Sequence, residues 1–195
     1  MAIQTSTIEP HWNYLLALDS DLAQLARYVE FDARNFECFS LEIARILLAA
    51  AAECDVVAKQ LCEVLQPGCG ADNINTYRVT IVQHLPQVRA FEVVVPRYGL
   101  SLRPWDEWNQ PSGVPLWWTA NNKVKHQRHT HFHEATLKNA LNAVAGLLVL
   151  LLYLYRGRAE RGDLVPTPQI LRAGPQHIAR IGVGSIDMGI SYNLA

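Results

Sequence analysis

Several things are scarce in this chain of 195 residues, and each scarcity removes a class of function. Charge is sparse at 18% of residues, and the formal net charge is -1. Nothing global therefore draws the protein to nucleic acid or to an anionic membrane, so any such binding must come from a local patch. Cysteine is limited to Cys38, Cys54, Cys62 and Cys69, with no C-x-x-C pair among them. A zinc knuckle is not expected on that spacing. Cys62 and Cys69 could meet across a turn, but free thiols in a reducing compartment are the expectation. The opening MAIQTSTIEP lacks a basic segment followed by an apolar core, so no secretory signal is read and the cytoplasm is the expected location.

Long apolar runs are also lacking, with one exception. Ala140 to Tyr155 (ALNAVAGLLVLLLYLY) is interrupted only by Asn142. Crossing a bilayer as a helix takes about 20 apolar residues. The run is shorter, so a fully buried core helix is expected, with an interfacial or membrane helix as the alternative.

What is present is helical periodicity. Half of the residues are hydrophobic, which suits a globular domain with a sizeable core. Leu15, Leu18, Leu22, Leu25 and Val29 recur at three- and four-residue steps and predict an amphipathic helix from His11 to Glu30. Asp32 or Asn35 is placed to cap a second helix running to about Leu65, whose small residues Ala49 to Ala52 allow another helix close approach. Pro67 to Asp72 is a turn by composition, and Asp72 or Asn73 then caps a third helix ending before Pro86. Phe91 to Val95 suits a short strand.

Tyr98 to Trp118 holds four of the five tryptophans together with Pro104, Pro111 and Pro115. It is too aromatic for a flexible linker and predicts a structured cover over the helices. A turn or two of helix through Lys123 and Lys125, then a long helix from about Thr130 to Tyr155, complete the expected set. The fold class read from this pattern is all-α in the main, an antiparallel helical bundle. Residues 1–156 form the bundle with an insertion at 86–118, and residues 157–195 form a non-helical tail with a short strand at Ile178 to Val183.

Chemistry concentrates between Asn121 and His133. Four of the seven histidines stand there, His126, His129, His131 and His133, among Lys123, Lys125 and Arg128. Three readings compete. On a continuous helix His126, His129 and His133 share a stripe that could hold a metal ion while His131 points away. No carboxylate or cysteine stands at ligand spacing, and the cations repel an ion, so no metal or cofactor is expected. Alternatively, a histidine flanked by Lys, Arg and Asn supplies the groups for acid–base cleavage of an RNA phosphodiester. His126 is the candidate acid–base group, with Asn122, Lys123 and Arg128 beside it. The third reading is a solvated polar helix end. In the preceding long helix, Glu42 and Glu53 share a face near Arg45, while Asp55 and Lys59 are an i,i+4 pair. Glu53 is the natural carboxylate to orient His126 if that face meets it.

The run Trp117-Trp118-x-x-x-Asn122-Lys-Val-Lys-His126-x-Arg128, followed by Ala135-Thr-Leu-x-Asn139-Ala-Leu-Asn142-Ala, resembles a group of bacterial proteins of unassigned activity with an N-K-V-K-H-x-R core. The ARILLAAAAECDVVAKQLC run is similar to the same group's earlier helix. The order helix, motif, helix is remotely similar to the HEPN superfamily, helical domains of toxin–antitoxin and phage-defence ribonucleases. That resemblance implies an Arg-x(4 to 6)-His site assembled across a homodimer; Lys123 and Arg128, neither at the motif position, are the residues expected to contact phosphate. Asn121 stands where the arginine is implied, which removes the guanidinium clamp on phosphate. The expectation is a HEPN-like protein of bacterial defence or toxin–antitoxin type, either a metal-independent endoribonuclease using His126 or a non-catalytic module binding a protein or nucleic-acid partner.

Overall fold

The computed structural model describes residues 9–183 and 188–195. Its architecture is mainly α. Helices α1 (Pro10–Leu25), α2 (Leu41–Leu65), α3 (Ile74–His84), α4 (Leu116–His131), α5 (Leu137–Leu154) and the short α6 (Arg156–Arg161) surround one core. Three short strands form a sheet in the order β2 (Leu100–Leu102), β1 (Val93–Val95), β3 (Arg172–Ala173), and β4 (Ile178–Val183) pairs with β5 (Met188–Tyr192) as a hairpin.

The apolar run is the central helix. α5 is buried from Ala143 to Tyr153 without interruption, and 78% of its apolar span is enclosed by the fold. It is a core helix. α2 forms its most extensive interface against α5. Ala50 and Ala51 of α2 are buried, and Cys54 Sγ reaches within 3.6 Å of the Ala143 carbonyl of α5. Small side chains permit that approach. All four cysteines are free thiols, and burial pushes the Cys62 thiol up to about 12.

Local signals placed several elements correctly. Asn73 caps α3, accepting from the backbone of Asn75 (3.0 Å) and Thr76 (3.2 Å), while the Thr76 hydroxyl accepts from the Asn73 amide. Some boundaries differ from expectation, beginning with α1, which ends at Leu25 and gives way to a turn instead of running to Glu30. Asp32 caps only a 3-10 turn at Ala33–Asn35, and α2 starts at Leu41 behind a Ser40 cap. Between them lies a turn at residues 36–37 followed by a bridge residue at Phe39, and the Phe36 and Cys38 carbonyls receive the otherwise unpaired amides of Lys138 (3.1 Å) and Leu137 (2.9 Å) at the start of α5. The long helix expected from Thr130 is likewise two elements. α4 begins at Leu116, ends at His131, and is followed by a 3-10 turn at Phe132–Glu134. The Thr136 hydroxyl then caps α5 by accepting from the Asn139 amide at 3.2 Å.

The aromatic segment packs inward. Trp105, Trp108 and Trp117 are buried, with Trp117 Nε1 donating to the Pro104 carbonyl at 2.8 Å. The segment after residue 156 is not plain coil: it holds α6, and β3 pairs with β1 through Val93 and Val94. The strand expected at Ile178 to Val183 is β4.

His177 joins this region to the core. Its ring stacks on Phe91 at 3.7 Å between centroids, with only 4° between planes. Nε2 has no hydrogen-bond partner among the described residues. Burial holds its imidazole below the ordinary 6.5, against a smaller opposing pull from Glu92. A histidine depressed in this way supports the fold fully above its unfolded value, and that support is lost as pH falls through the folded value. Thermal melts at pH 7.5 and 5.0 should therefore show a smaller acid-induced loss for His177→Phe, which keeps the stack and cannot take a proton. An equal loss in the two proteins would rule His177 out as a contributor.

Candidate functional site

α4 divides into two faces. Trp117, Trp118, Ala120, Asn121 and Val124 face the core, at the three- and four-residue steps of a buried helical stripe. Asn122, Lys125, His126, Arg128 and His129 are exposed. The helix is broken at Gln127, whose φ of -139° and ψ of 41° lie outside the helical region. His126 thus ends the regular part of the helix. The Thr130 hydroxyl donates to the Gln127 carbonyl at 3.1 Å, compensating for backbone pairing disturbed by the kink.

The kink shapes a groove of about 850 Å³ between α4 and the start of α2. Leu41, Leu48, Val124 and Phe132 provide apolar lining, and Lys125, His126, Arg128 and His129 provide the basic lining. Leu41 is 70% exposed, and half-exposed Phe39 meets Phe132 edge to face at 5.5 Å. The groove is therefore amphipathic, and its ionisable lining side chains are all basic.

The predicted site residues do not all meet. His126 and Arg128 line this groove together. Asn122 is exposed but outside its lining; its side-chain oxygen accepts from Asn121 Nδ2 at 3.4 Å. Lys123 lies on another side of the helix and is engaged, with Nζ 2.6 Å from Glu134 Oε1. That hydrogen bond is the main reason the Glu134 carboxyl lies below its ordinary range. A role for Lys123 as a phosphate contact beside His126 is not supported by this placement.

Glu53 requires the clearest correction. It does not orient His126: its Oε1 lies 2.5 Å from Nδ1 of His11 on α1, and the other nitrogen of that ring contacts Gln60. Helix α2 turns Glu53 toward α1, whereas the groove lies near residues 41 and 48 of the same helix. Arg45 is held by Glu42 and by Asp21 of α1, at 2.5 and 2.8 Å.

The histidine stripe is also divided. His126 and His129 line the groove, but His133 lies beyond the end of α4 and lines a different cavity with Lys123 and Glu134. His131, expected to point away, is gathered with His133 and Glu134. The kink and the 3-10 turn account for this, because His126, His129 and His133 share a stripe only on one continuous helix. Lys125 and His129 join His126 and Arg128 in the groove, His129 having been expected on a metal-binding stripe and Lys125 carrying no expected role.

Asn121, which stands where the HEPN resemblance implies arginine, is buried at 8% exposure, and its Oδ1 has no hydrogen-bond partner among the described residues. No protein-family model matches this chain, and neither curated proteins nor solved structures contain a match.

Proposed function

We propose that this protein is a HEPN-like module of bacterial defence or toxin–antitoxin type that binds single-stranded RNA in the α2–α4 groove without cleaving it. The observation that carries this reading is the convergence of Lys125, His126, Arg128 and His129 on one side of an apolar-floored groove. Cations there meet phosphates, and Phe132 and the imidazole rings offer surfaces for unstacked bases. A duplex would hide those bases, whereas a single strand presents them.

The arrangement favours binding over chemistry. Among the described residues no carboxylate is hydrogen-bonded to His126, since Glu53 is taken by His11 and Glu134 by Lys123. A buried asparagine at position 121 cannot clamp a scissile phosphate from within the core. The resemblance further implies a homodimer, and light scattering on the purified chain reads its assembly directly.

Fluorescence anisotropy with a short labelled single-stranded RNA tests the groove. Lys125→Glu with Arg128→Glu is expected to weaken binding roughly 10- to 100-fold. The log–log salt slope should fall by about 1.4, from two lost single-strand phosphate contacts. Unchanged affinity in the double variant, or no binding by the wild type, overturns the proposal. Preference for an acidic peptide over RNA would assign the groove to a protein partner. Cleavage in EDTA that disappears in His126→Ala would replace binding by ribonuclease activity.

A further inference from the structure

The turn that follows α4 carries a second constellation, separate from the groove. His131, His133 and Glu134 each offer one ligating atom, and these atoms lie within 4.8 Å of one another. We infer that these three side chains form a binding site for a divalent transition-metal ion of the zinc class. The inference is independent of RNA binding.

Backbone geometry creates the cluster. On a regular α-helix, residues two apart point to well-separated sides, so His131 and His133 would diverge. Here α4 ends at His131 and the chain tightens into the 3-10 turn Phe132–Glu134. The turn is fixed from both ends. The Ala135 amide donates to the Phe132 carbonyl at 3.0 Å, and Asn139 Nδ2 of α5 donates to the Glu134 carbonyl at 2.9 Å. The imidazoles then stand with centroids 6.2 Å apart.

His131 supplies the observation that points to a ligand. Its Nδ1 is shielded from solvent and has no hydrogen-bond partner among the described residues, although it lies 3.9 Å from Glu134 Oε1. That separation is too long for a hydrogen bond. It is close to the spacing of two ligands around one ion. Metal–nitrogen and metal–oxygen bonds of about 2.0–2.2 Å place tetrahedral ligands roughly 3.3–3.5 Å apart. Side-chain adjustments on the order of 1 Å would bring the three atoms to that spacing.

Two imidazoles and one carboxylate suit zinc, cobalt or nickel better than magnesium or calcium, which favour oxygen-only sets. Lys123 on Glu134 Oε1 is the competing cation. The oxygen 3.9 Å from His131 Nδ1 is the same Oε1, so an ion is bound either by displacing the ammonium or by a small carboxylate rotation that presents Oε2 while Lys123 keeps Oε1. His133 and Glu134 also line a cavity of about 400 Å³ with Glu37, Thr119, Lys123 and Asn139. Three protein ligands beside such a cavity leave a fourth position for water or a small anion, the pattern of an open rather than a closed zinc site.

The untagged full chain should bind zinc at one ion per chain in calorimetry, and cobalt should give the visible absorption of a low-coordinate ion. His133→Ala alters an exposed side chain and Glu134→Gln preserves shape. Each is expected to weaken zinc binding at least about tenfold, with His131→Ala doing the same. The double variant His126→Ala, His129→Ala should bind as the wild type does. Absence of stoichiometric binding overturns the inference, as does unchanged affinity in His133→Ala and Glu134→Gln. Loss confined to the His126, His129 double variant also overturns it, by placing the ion in the groove.

Discussion

Replacing Asp19 with alanine is expected to lower the unfolding free energy by about 3–5 kcal/mol. The residue lies on the inward stripe of α1 at 2% exposure, among Leu15, Leu18 and Leu22. Its carboxylate accepts from three consecutive backbone amides, those of Gln169 at 2.5 Å and of Ile170 and Leu171 at 3.1 Å each. Desolvation by burial raises its pKa, and the three amides pull against that rise. Alanine would strand three donors beside the core, each costing about 1–3 kcal/mol before water enters. For a chain of this size the loss corresponds to a fall of roughly 8–15 °C in melting temperature.

Asparagine is not expected to restore the wild-type melt. It presents one oxygen and an NH2 group, and the NH2 group would face donors. Limited proteolysis should also show earlier cutting after residue 161 in Asp19→Ala, because those amides lead directly into β3. An Asp19→Asn melt that matches wild type would show that the charge and its third acceptor bond contribute nothing.

Trp105→Ala is expected to cost a comparable amount, about 3–5 kcal/mol, through the cavity left by a fully buried indole. The ring lies 4.2 Å from Trp108 and 5.2 Å edge-on from Trp117, and Nε1 donates to the Gly146 carbonyl at 3.3 Å. Gly146 is the matching surface on α5. A Cβ there would meet Trp117 Cζ2 at 3.1 Å and Trp105 Cζ2 at 3.3 Å, so the indoles occupy the space a side chain would need. Glycine inside a helix normally weakens it, and here close packing offsets that cost. Trp105 also supports Trp117, which lies in the first turn of the helix carrying Lys125, His126 and Arg128. RNA affinity should therefore fall alongside stability, and near-ultraviolet circular dichroism should report the broken aromatic cluster. A variant that melts within about 1 kcal/mol of wild type would mean that the cluster repacks, since volume-conserving rearrangements cost little.

Much of the candidate site was legible as a location. Asn121 to His133 stood out by composition, and His126 with Arg128 does line the amphipathic groove. The groove's other wall was not legible. Exposed Leu41 and partly buried Leu48 lie far away in sequence, and a leucine on a helix carries no local mark of what it faces. Lys123 and Glu53 were misplaced because each was paired by sequence proximity or helical arithmetic. Their actual partners, Glu134 and His11, depend on where the chain breaks and which helix lies alongside.

The amino-acid sequence by itself determined the elements whose causes are local. The leucine spacing of α1, the Ala- and Leu-rich run of α2 and the Asn73 cap of α3 act within a few residues, and α5 is buried because nearly every face of it is apolar. Tertiary structure decided where polar groups found partners. The carbonyls of Phe36 and Cys38 took the first amides of α5, a turn drew His131 and His133 together, and Asp19 received the backbone before β3. Periodicity is set by bonds between near neighbours, whereas a buried charge or an unpaired amide is satisfied by whatever the fold brings within 3 Å. The segment from Asn121 to His133 therefore announced itself in the sequence as polar and basic. Its division into a groove on one side and a three-ligand cluster on the other arose only when the helix kinked at Gln127 and ended at His131.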